Sequence, residues 1–258
     1  MRKFLPAVLS IILLFSVVSP TLAKVKETTD QIPEVSGDYK VPNHDNLRVR
    51  VFVHGPKEVP QQTVNEALIC NLPDPDSTAV VPKTGWHLPS TWSYRLNRSS
   101  VPSSVGSTNI ITIAANSFNQ WSTAVGGKVV FSRGSDTSVN RARYDGQNII
   151  AWGRTSSSTL AIAYTWYYPS SGLVAEEDII FNKGVPWSWS GNNGGCANTA
   201  SYDAQNILTH EAGHWMGLDD TYDAAYTENT LFGYGSKGEI KKNTLTTGDI
   251  LGVNAIYP

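Results

Sequence analysis

The chain has 258 residues, of which 40% are hydrophobic and 16% are charged, and its formal net charge at pH 7 is -2. This length fits one ordinary domain with an appended segment, and the composition excludes a disordered or fibrous protein. The charge is balanced and no run of lysine and arginine occurs, so the sequence offers no basic surface for nucleic acid. We therefore expect a folded protein that does not bind nucleic acid.

Residues 1–23 have the three parts of an export signal. Two basic residues follow Met1, residues 4–18 are mainly apolar, and small residues suited to cleavage end at Ala23. An uncleaved membrane anchor needs about 20 apolar residues, and this run is shorter. We expect cleavage after Ala23, which leaves an extracellular protein without a membrane anchor.

Residues 24–82 form the predicted N-terminal segment, which is either a pro-segment or an extension tethered by a disulfide. Residues 24–46 are polar and show no period, which indicates a flexible stretch. Residues 47–54 have an apolar residue at every second position, which predicts a strand with one buried face. Residues 56–83 contain five prolines and indicate a connector.

Residues 83–258 carry the periodic elements of a single domain. The predicted strands are 91–97, 128–132, 148–152, 160–167 and 178–181, and the predicted helices are 109–125, 203–218 and 247–256. Asp203 is a candidate N-cap for the second helix, and Thr246 or Thr247 for the third. A loop rich in glycine and asparagine, residues 191–200, precedes the second helix. This order predicts an α+β fold, a twisted sheet with helices on one side.

The second predicted helix contains His210-Glu211-Ala212-Gly213-His214. Residues four apart on a helix lie about 40° apart in projection and about 6 Å apart along the axis, so both imidazoles leave the same face and can share a metal ion. Glu211 can reach the open coordination position, where water binds. The alternative is two histidines that only pack or hydrogen-bond. Against it, Gly217 permits a sharp turn that brings Asp220 towards the metal.

The complete pattern, His210-Glu211-x-x-His214-x-x-Gly217-x-x-Asp220, resembles the metzincin zinc-protease signature, whose last position is usually histidine. Aspartate stands there in snapalysin-type bacterial proteases. Residues 86–258 resemble a matrixin-type catalytic domain, with residues 144–146, 178–182 and 247–257 in the order of that family. The resemblance implies a metzincin-like fold, in which a mostly parallel sheet of about five strands carries an active-site helix, a helix on the sheet and a C-terminal helix.

The same resemblance implies a secreted, monomeric zinc endopeptidase with protein or peptide substrates. One catalytic Zn²⁺ would be bound by His210, His214 and Asp220. Glu211 would act as general base on the metal-activated water and pass its proton to the leaving amine.

Two residues near the site follow from the resemblance alone. Leu231 stands where the family has the methionine of its Met-turn, and leucine can fill this apolar floor at similar volume. Tyr234 follows the turn at an offset one residue longer than in relatives with a helping tyrosine. It is a candidate for stabilising the oxyanion, and plain packing is the alternative.

Matrixins also bind a structural zinc through histidines on the sheet. In sequence, none of the three histidines outside the motif is near Asp145 or Asp178; they are His44, His54 and His87. We therefore expect no structural zinc. Asp145, Asp178 or Asn182 could hold a structural Ca²⁺, but such strand-end residues more often form turns.

Two rival functions use other residues. A thermolysin-like site would take its third ligand from a downstream glutamate such as Glu228 or Glu239, but that class needs neither Gly217 nor Asp220. A secreted adhesin or carbohydrate-binding domain without hydrolytic activity would stack ligands on exposed aromatic residues. Its candidate surface consists of Trp166, Tyr167, Tyr168, Trp187 and Trp189.

The chain has two cysteines, Cys70 and Cys196, and an even count in an exported protein favours a disulfide. Residues 70–74 also resemble the matrixin cysteine switch, in which a pro-segment thiolate caps the zinc. Ile69 and Asn71 replace the arginine and glycine that flank that cysteine. We predict the disulfide, which would tie residues 47–82 to the catalytic domain, and keep the zinc-capping thiol as the alternative.

Overall fold

The computed structural model describes residues 32–57 and 66–258, which belong to one compact unit. The predicted signal peptide and its cleavage site lie outside these residues. Within the part of the chain that is described, no helix is long and apolar enough to cross a membrane.

The described residues form strands, α-helices and short 3₁₀ turns. The strands are β1 (Gly37–Val41), β2 (His44–Pro56), β3 (Leu68–Ile69), β4 (Thr91–Leu96), β5 (Val130–Arg133), β6 (Ile149–Gly153), β7 (Ala161–Tyr168), β8 (Leu173–Asn182), β9 (Trp187–Ser188), β10 (Ala197–Asn198), β11 (Tyr202–Asp203) and β12 (Tyr234–Gly235). The helices are α1 (Asn109–Ala124), α2 (Ala204–Trp215) and α3 (Thr247–Asn254). The 3₁₀ turns are Arg98–Ser100, Ser190–Asn193, Ala224–Tyr226 and Lys241–Asn243.

The main sheet has the strand order β1-β2-β7-β8-β6-β4-β5, and β12 pairs with β2. Strands β5, β4, β6 and β8 run parallel, and β7 is antiparallel to β8. These five strands are the mostly parallel sheet that the sequence predicts, so the α+β, metzincin-like fold is confirmed. The sheet is wider than predicted, because β1 and β2 add two antiparallel strands beside β7.

The prediction of a flexible stretch over residues 24–46 is wrong in its second half. Residues 37–41 form β1, and β2 begins at His44, so the two strands make a hairpin. Its turn contains Asn43 at φ 62, a left-handed conformation that asparagine tolerates better than most residues. The pattern gave little signal because β1 is short and only Tyr39 and Val41 mark its partly buried face.

The sheet separates two apolar cores. Helices α1 and α2 pack on one face, and this helix-side core includes the buried Trp121 and Trp215. The opposite face holds a second cluster, to which β2 contributes Leu47, Val49 and Val51. These alternating residues are the buried face predicted for the strand. The face of β2 that points to the helices is also buried at Phe52 and His54, although the prediction left this face exposed.

The N-caps explain where two helices begin. Asp203 accepts hydrogen bonds from the backbone N–H groups of Gln205 and Asn206, at 3.0 and 2.9 Å, and so starts α2. Thr246 and Asp249 form a capping box at the start of α3. Thr246, and not Thr247, is therefore the N-cap of α3.

Cys70 and Cys196 form a disulfide, as predicted, and no described cysteine is free. Beside it, β3 pairs with β10 in a short antiparallel ladder. Because the sulfur of Cys70 is already bonded, the alternative of a zinc-capping thiol is wrong for this structure. The bridge ties the segment before the catalytic domain to the loop that leads into α2.

We predict that a Cys70→Ser/Cys196→Ser double variant unfolds more easily than the parent protein. The cysteines are 126 positions apart. On the chain-entropy model, closing a loop of that size stabilises the fold by up to about 4–5 kcal/mol. Urea unfolding measures the loss, and the reduced parent protein is the matched control. A change below about 1 kcal/mol would show that the bridge does not constrain the unfolded chain as this model assumes.

Candidate metal centre

The chain reverses direction at Gly217, directly after α2. Its φ of 94° is left-handed, and a Cβ there would lie 2.5 Å from the carbonyl oxygen of Trp86. The N–H of Gly217 donates to the His214 carbonyl and the N–H of Leu218 to the Gly213 carbonyl, which closes the helix end. Only glycine fits this position without strain, and the reversal carries Asp220 back to the face of α2.

Three candidate ligand atoms meet at this point. Asp220 Oδ1 lies 3.2 Å from His210 Nε2 and 3.5 Å from His214 Nε2. Atoms bound at about 2.0–2.1 Å to a tetrahedral Zn²⁺ lie about 3.3–3.4 Å from one another. Both histidines are fully buried, and the Asp220 side chain is 5% exposed. The measured separations therefore fit one small ion.

The outer nitrogens fix the proton positions of both rings. His210 Nδ1 lies 2.7 Å from the Thr230 carbonyl oxygen, and His214 Nδ1 lies 3.0 Å from that of Leu218. A carbonyl oxygen only accepts, so each Nδ1 donates and each Nε2 keeps its lone pair. Within the described part of the chain, these two Nε2 atoms and Asp220 Oδ1 are buried without a hydrogen-bond partner, as a metal's ligands would be.

The turn behind His210 is held from α3. Asp249 accepts hydrogen bonds from the N–H groups of Thr230 and Leu231, at 2.9 and 3.4 Å. This fixes the Thr230 carbonyl that orients His210. The Leu231 side chain is fully buried beneath α2, where a Cβ on Gly213 would lie 2.7 Å from Leu231 Cδ2. Leu231 thus lies under the helix turn between the two histidines.

The charges at the site favour metal binding. Burial, and then the nearby Lys242, lower the pKa of His210 to about 4, which keeps its imidazole neutral. A neutral imidazole and an ionised carboxylate are the forms that bind a cation.

Glu211 is fully buried next to the three candidate ligands. Burial, and then the charge of Asp220, raise the pKa of its carboxyl group well above the ordinary value. Its Oε1 lies 3.2 Å from Nδ1 of His54, and its Oε2 has no hydrogen-bond partner among the described residues. This free, buried oxygen suits a group that exchanges protons inside the site.

Two further tyrosines stand at the rim. The hydroxyl of Tyr222 donates to Asp220 Oδ2 at 3.2 Å and so supports the carboxylate from outside. The Tyr234 ring packs edge-on against Tyr222, with centroids 5.2 Å apart, and is 39% exposed. Its predicted role in stabilising the oxyanion stays a prediction.

The other predicted binding residues have different partners. Asp178 accepts from the N–H groups of Arg143 and Ile149 in a neighbouring segment, and Asp145 accepts from that of Gln147, as a turn-forming carboxylate does. Asn182 donates to the carbonyls of Ser156 and Thr159. Where the chain is described, none of the predicted calcium residues belongs to a candidate metal cluster. These contacts give the proposed calcium site no support.

The rival sites also differ from expectation. Glu228 pairs with Lys241 at 3.0 Å, and Glu239 accepts from the Asn206 amide at 3.2 Å; neither belongs to a candidate metal cluster of the described residues, as a thermolysin-like ligand would. Of the proposed stacking aromatics, Trp166 and Trp187 are buried in the cores. They cannot present their faces to a sugar.

Sequence reasoning missed two residues of the site, His54 and Tyr222. His54 lies on β2, 157 positions before Glu211, and its ring centroid is 3.8 Å from that of His210. The apolar alternation placed His54 on the face of the strand that it predicts to be exposed, so the pattern gave no signal for the site. The sequence analysis also set His44 aside as a metal ligand. Its ring contacts that of Tyr144, next to Asp145, with centroids 5.1 Å apart.

The side chains of His210, Glu211, His214 and Asp220 thus form a candidate metal centre on α2 and the turn after it. The sequence profile of the matrixin family matches residues 85–258, and the chain belongs to this family. It is thus a member of a family of zinc-dependent metalloproteases, whose substrates are proteins or peptides. No curated protein matches the sequence.

We predict that Asp220→Ala loses stoichiometric zinc, because two neutral imidazoles alone form an incomplete site. Zinc is measured per folded chain after dialysis against a weak zinc buffer. Asp219→Ala is the control for the neighbouring carboxylate, which is 37% exposed, lies 3.6 Å from Arg50 and accepts the backbone N–H of Asp220. Zinc retained in Asp220→Ala but lost in Asp219→Ala would contradict the assignment.

We also predict that Tyr222→Phe binds zinc about tenfold more weakly, because a support of the Asp220 carboxylate is removed. Competition with a chromogenic chelator measures the affinity. Tyr226→Phe, on the neighbouring 3₁₀ turn, is the control and should bind zinc like the parent. Equal affinities for the Tyr222→Phe and Tyr226→Phe variants would show that the hydroxyl of Tyr222 does not act on the site.

Proposed function

We propose that the protein is a secreted zinc-dependent endopeptidase, with His210, His214 and Asp220 as zinc ligands and Glu211 as general base. The observation that carries the proposal is the buried triangle of Nε2, Nε2 and Oδ1 atoms with the separations of a tetrahedral site. The family supports the same chemistry. The export-signal pattern in the sequence of residues 1–23 and the disulfide in the described chain support secretion.

Each side chain has a distinct part in the proposed reaction. Zinc, when bound, would polarise the scissile carbonyl and make a water molecule more acidic. Glu211 would accept the proton of the attacking water and pass it to the leaving amine. Asp220 would lower the net charge of the ion, and the carbonyls of Thr230 and Leu218 would hold the two imidazoles in register.

We predict that Glu211→Ala binds zinc normally but hydrolyses casein at least about 10²–10⁴-fold more slowly, because the general base is gone. Metal content and casein hydrolysis are measured on the same preparations. Since the site is buried, activity is assayed before and after brief trypsin treatment, with trypsin then inhibited.

Glu228→Ala is the matched control, because its carboxylate pairs with Lys241 away from the metal centre. This variant should keep both zinc and activity. A zinc-replete Glu211→Ala protein with the parent's turnover would remove Glu211 from the mechanism. A parent protein that binds zinc but cleaves nothing, before or after trypsin, would contradict the proposed function.

A further inference from the structure

Strand β2 runs through the space in front of the candidate metal centre. On one side it pairs antiparallel with β7 from Arg48 to His54. On the other side its end pairs in parallel with β12, and the N–H of Lys57 donates to the Gly235 carbonyl at 2.8 Å. β2 is therefore an extended peptide held between two walls by backbone hydrogen bonds, which is how proteins commonly bind an added strand.

Two rings of β2 lie directly on the two metal-site histidines. Phe52 stacks on His214, with centroids 3.9 Å apart and planes 4° from parallel. His54 covers His210 at 3.8 Å. The helix side of β2 is thus fitted to the ligand face of α2.

His54 also engages the proposed general base. Lys242 is buried, and its Nζ lies 3.4 Å from His54 Nε2. An ammonium group only donates, so Nε2 accepts and Nδ1 carries the proton that is shared with Glu211 Oε1 at 3.2 Å. The strand therefore holds one oxygen of the Glu211 carboxyl group and fixes the orientation of the group, while Oε2 keeps no partner among the described residues.

The consequence is a closed site. His210, Glu211 and His214 have no exposed surface. A polypeptide substrate must bring its backbone to the metal, and it cannot do so while β2 lies there. The covering strand is not part of the matrixin domain, whose match begins at residue 85.

We propose that β2 is an autoinhibitory strand, which fills the place of an extended peptide substrate and covers the site with Phe52 and His54. This inference rests on the proposed function. It differs from inhibition by a cysteine, because Cys70 is in the disulfide and does not reach the metal. The groups that cover the site are instead the rings of Phe52 and His54 and the backbone of β2.

The hold on β2 is strong while the chain is intact. Leu47, Val49 and Val51 are buried in the second apolar cluster, and β1 pairs along the outer edge of β2. The Cys70–Cys196 bridge fixes the chain that follows. A cut between Lys57 and Cys70 would leave β2 attached by noncovalent contacts alone, and dilution would then favour its release.

The test uses the full mature chain with a recognition sequence for a site-specific protease in place of residues 58–64. Uncut and cut proteins are compared at nanomolar concentration by casein hydrolysis and by affinity for a zinc-directed peptide hydroxamate. If β2 leaves the cleft in about 1% of uncut molecules, cutting raises both activity and affinity about 100-fold. Zinc content and circular dichroism verify that both forms stay folded.

A peptide of residues 37–57 should inhibit the cut enzyme when it is added back. The control is the same peptide with Phe52→Ala and His54→Ala, which keeps the backbone pairing but loses both rings. We expect it to inhibit at least about tenfold more weakly, since the rings supply the contacts with the site. Equal inhibition by both peptides would overturn the role given to Phe52 and His54.

Equal hydroxamate affinity before and after the cut would overturn the proposal, as would loss of zinc and fold on cutting, which would make β2 part of the mature enzyme. A rise in affinity supports occlusion even if neither form hydrolyses casein. That last result would contradict the proposed function and leave the inference about β2 standing.

Discussion

The spacing of three atoms, His210 Nε2, His214 Nε2 and Asp220 Oδ1, sets the conditions that the surrounding elements meet. Two of the atoms come from one helix face, so the third must return across the helix end, and this requires a residue free to adopt a left-handed conformation. The Nε2 lone pairs of His210 and His214 must also point to the same place. The carbonyls of Thr230 and Leu218 ensure this by accepting the outer protons.

The support of His210 extends across the fold to α3. The Asp249 carboxylate caps that helix and also accepts the N–H groups of Thr230 and Leu231. One buried carboxylate thus joins the C-terminal helix to the turn beneath the metal centre. Metal affinity depends on ligand positions that are correct to within a few tenths of an ångström. We therefore regard α3 as part of the scaffold of the site.

The sequence predicted the local features well. Helical spacing gave His210 and His214, the glycine signal gave the turn at Gly217, and apolar alternation gave β2. It could not give the partners of β2, because strand pairing depends on contacts between distant segments. His54 was therefore not expected at the site. Strand β1 was missed, since only Tyr39 and Val41 mark its partly buried face and its hairpin depends on a turn at Asn43.

Removal of β2 would also change the edge of the sheet at β7. β7 would become an edge strand with unpaired backbone groups, and the faces of Ile162, Tyr164 and Trp166 next to it would lose their cover. Such an edge is a template for any extended chain that arrives, including another copy of the protein. The same unpaired backbone groups of β7 would bind peptides and would also promote self-association of the opened protein. The solubility of that form would therefore depend on how soon the edge is covered again.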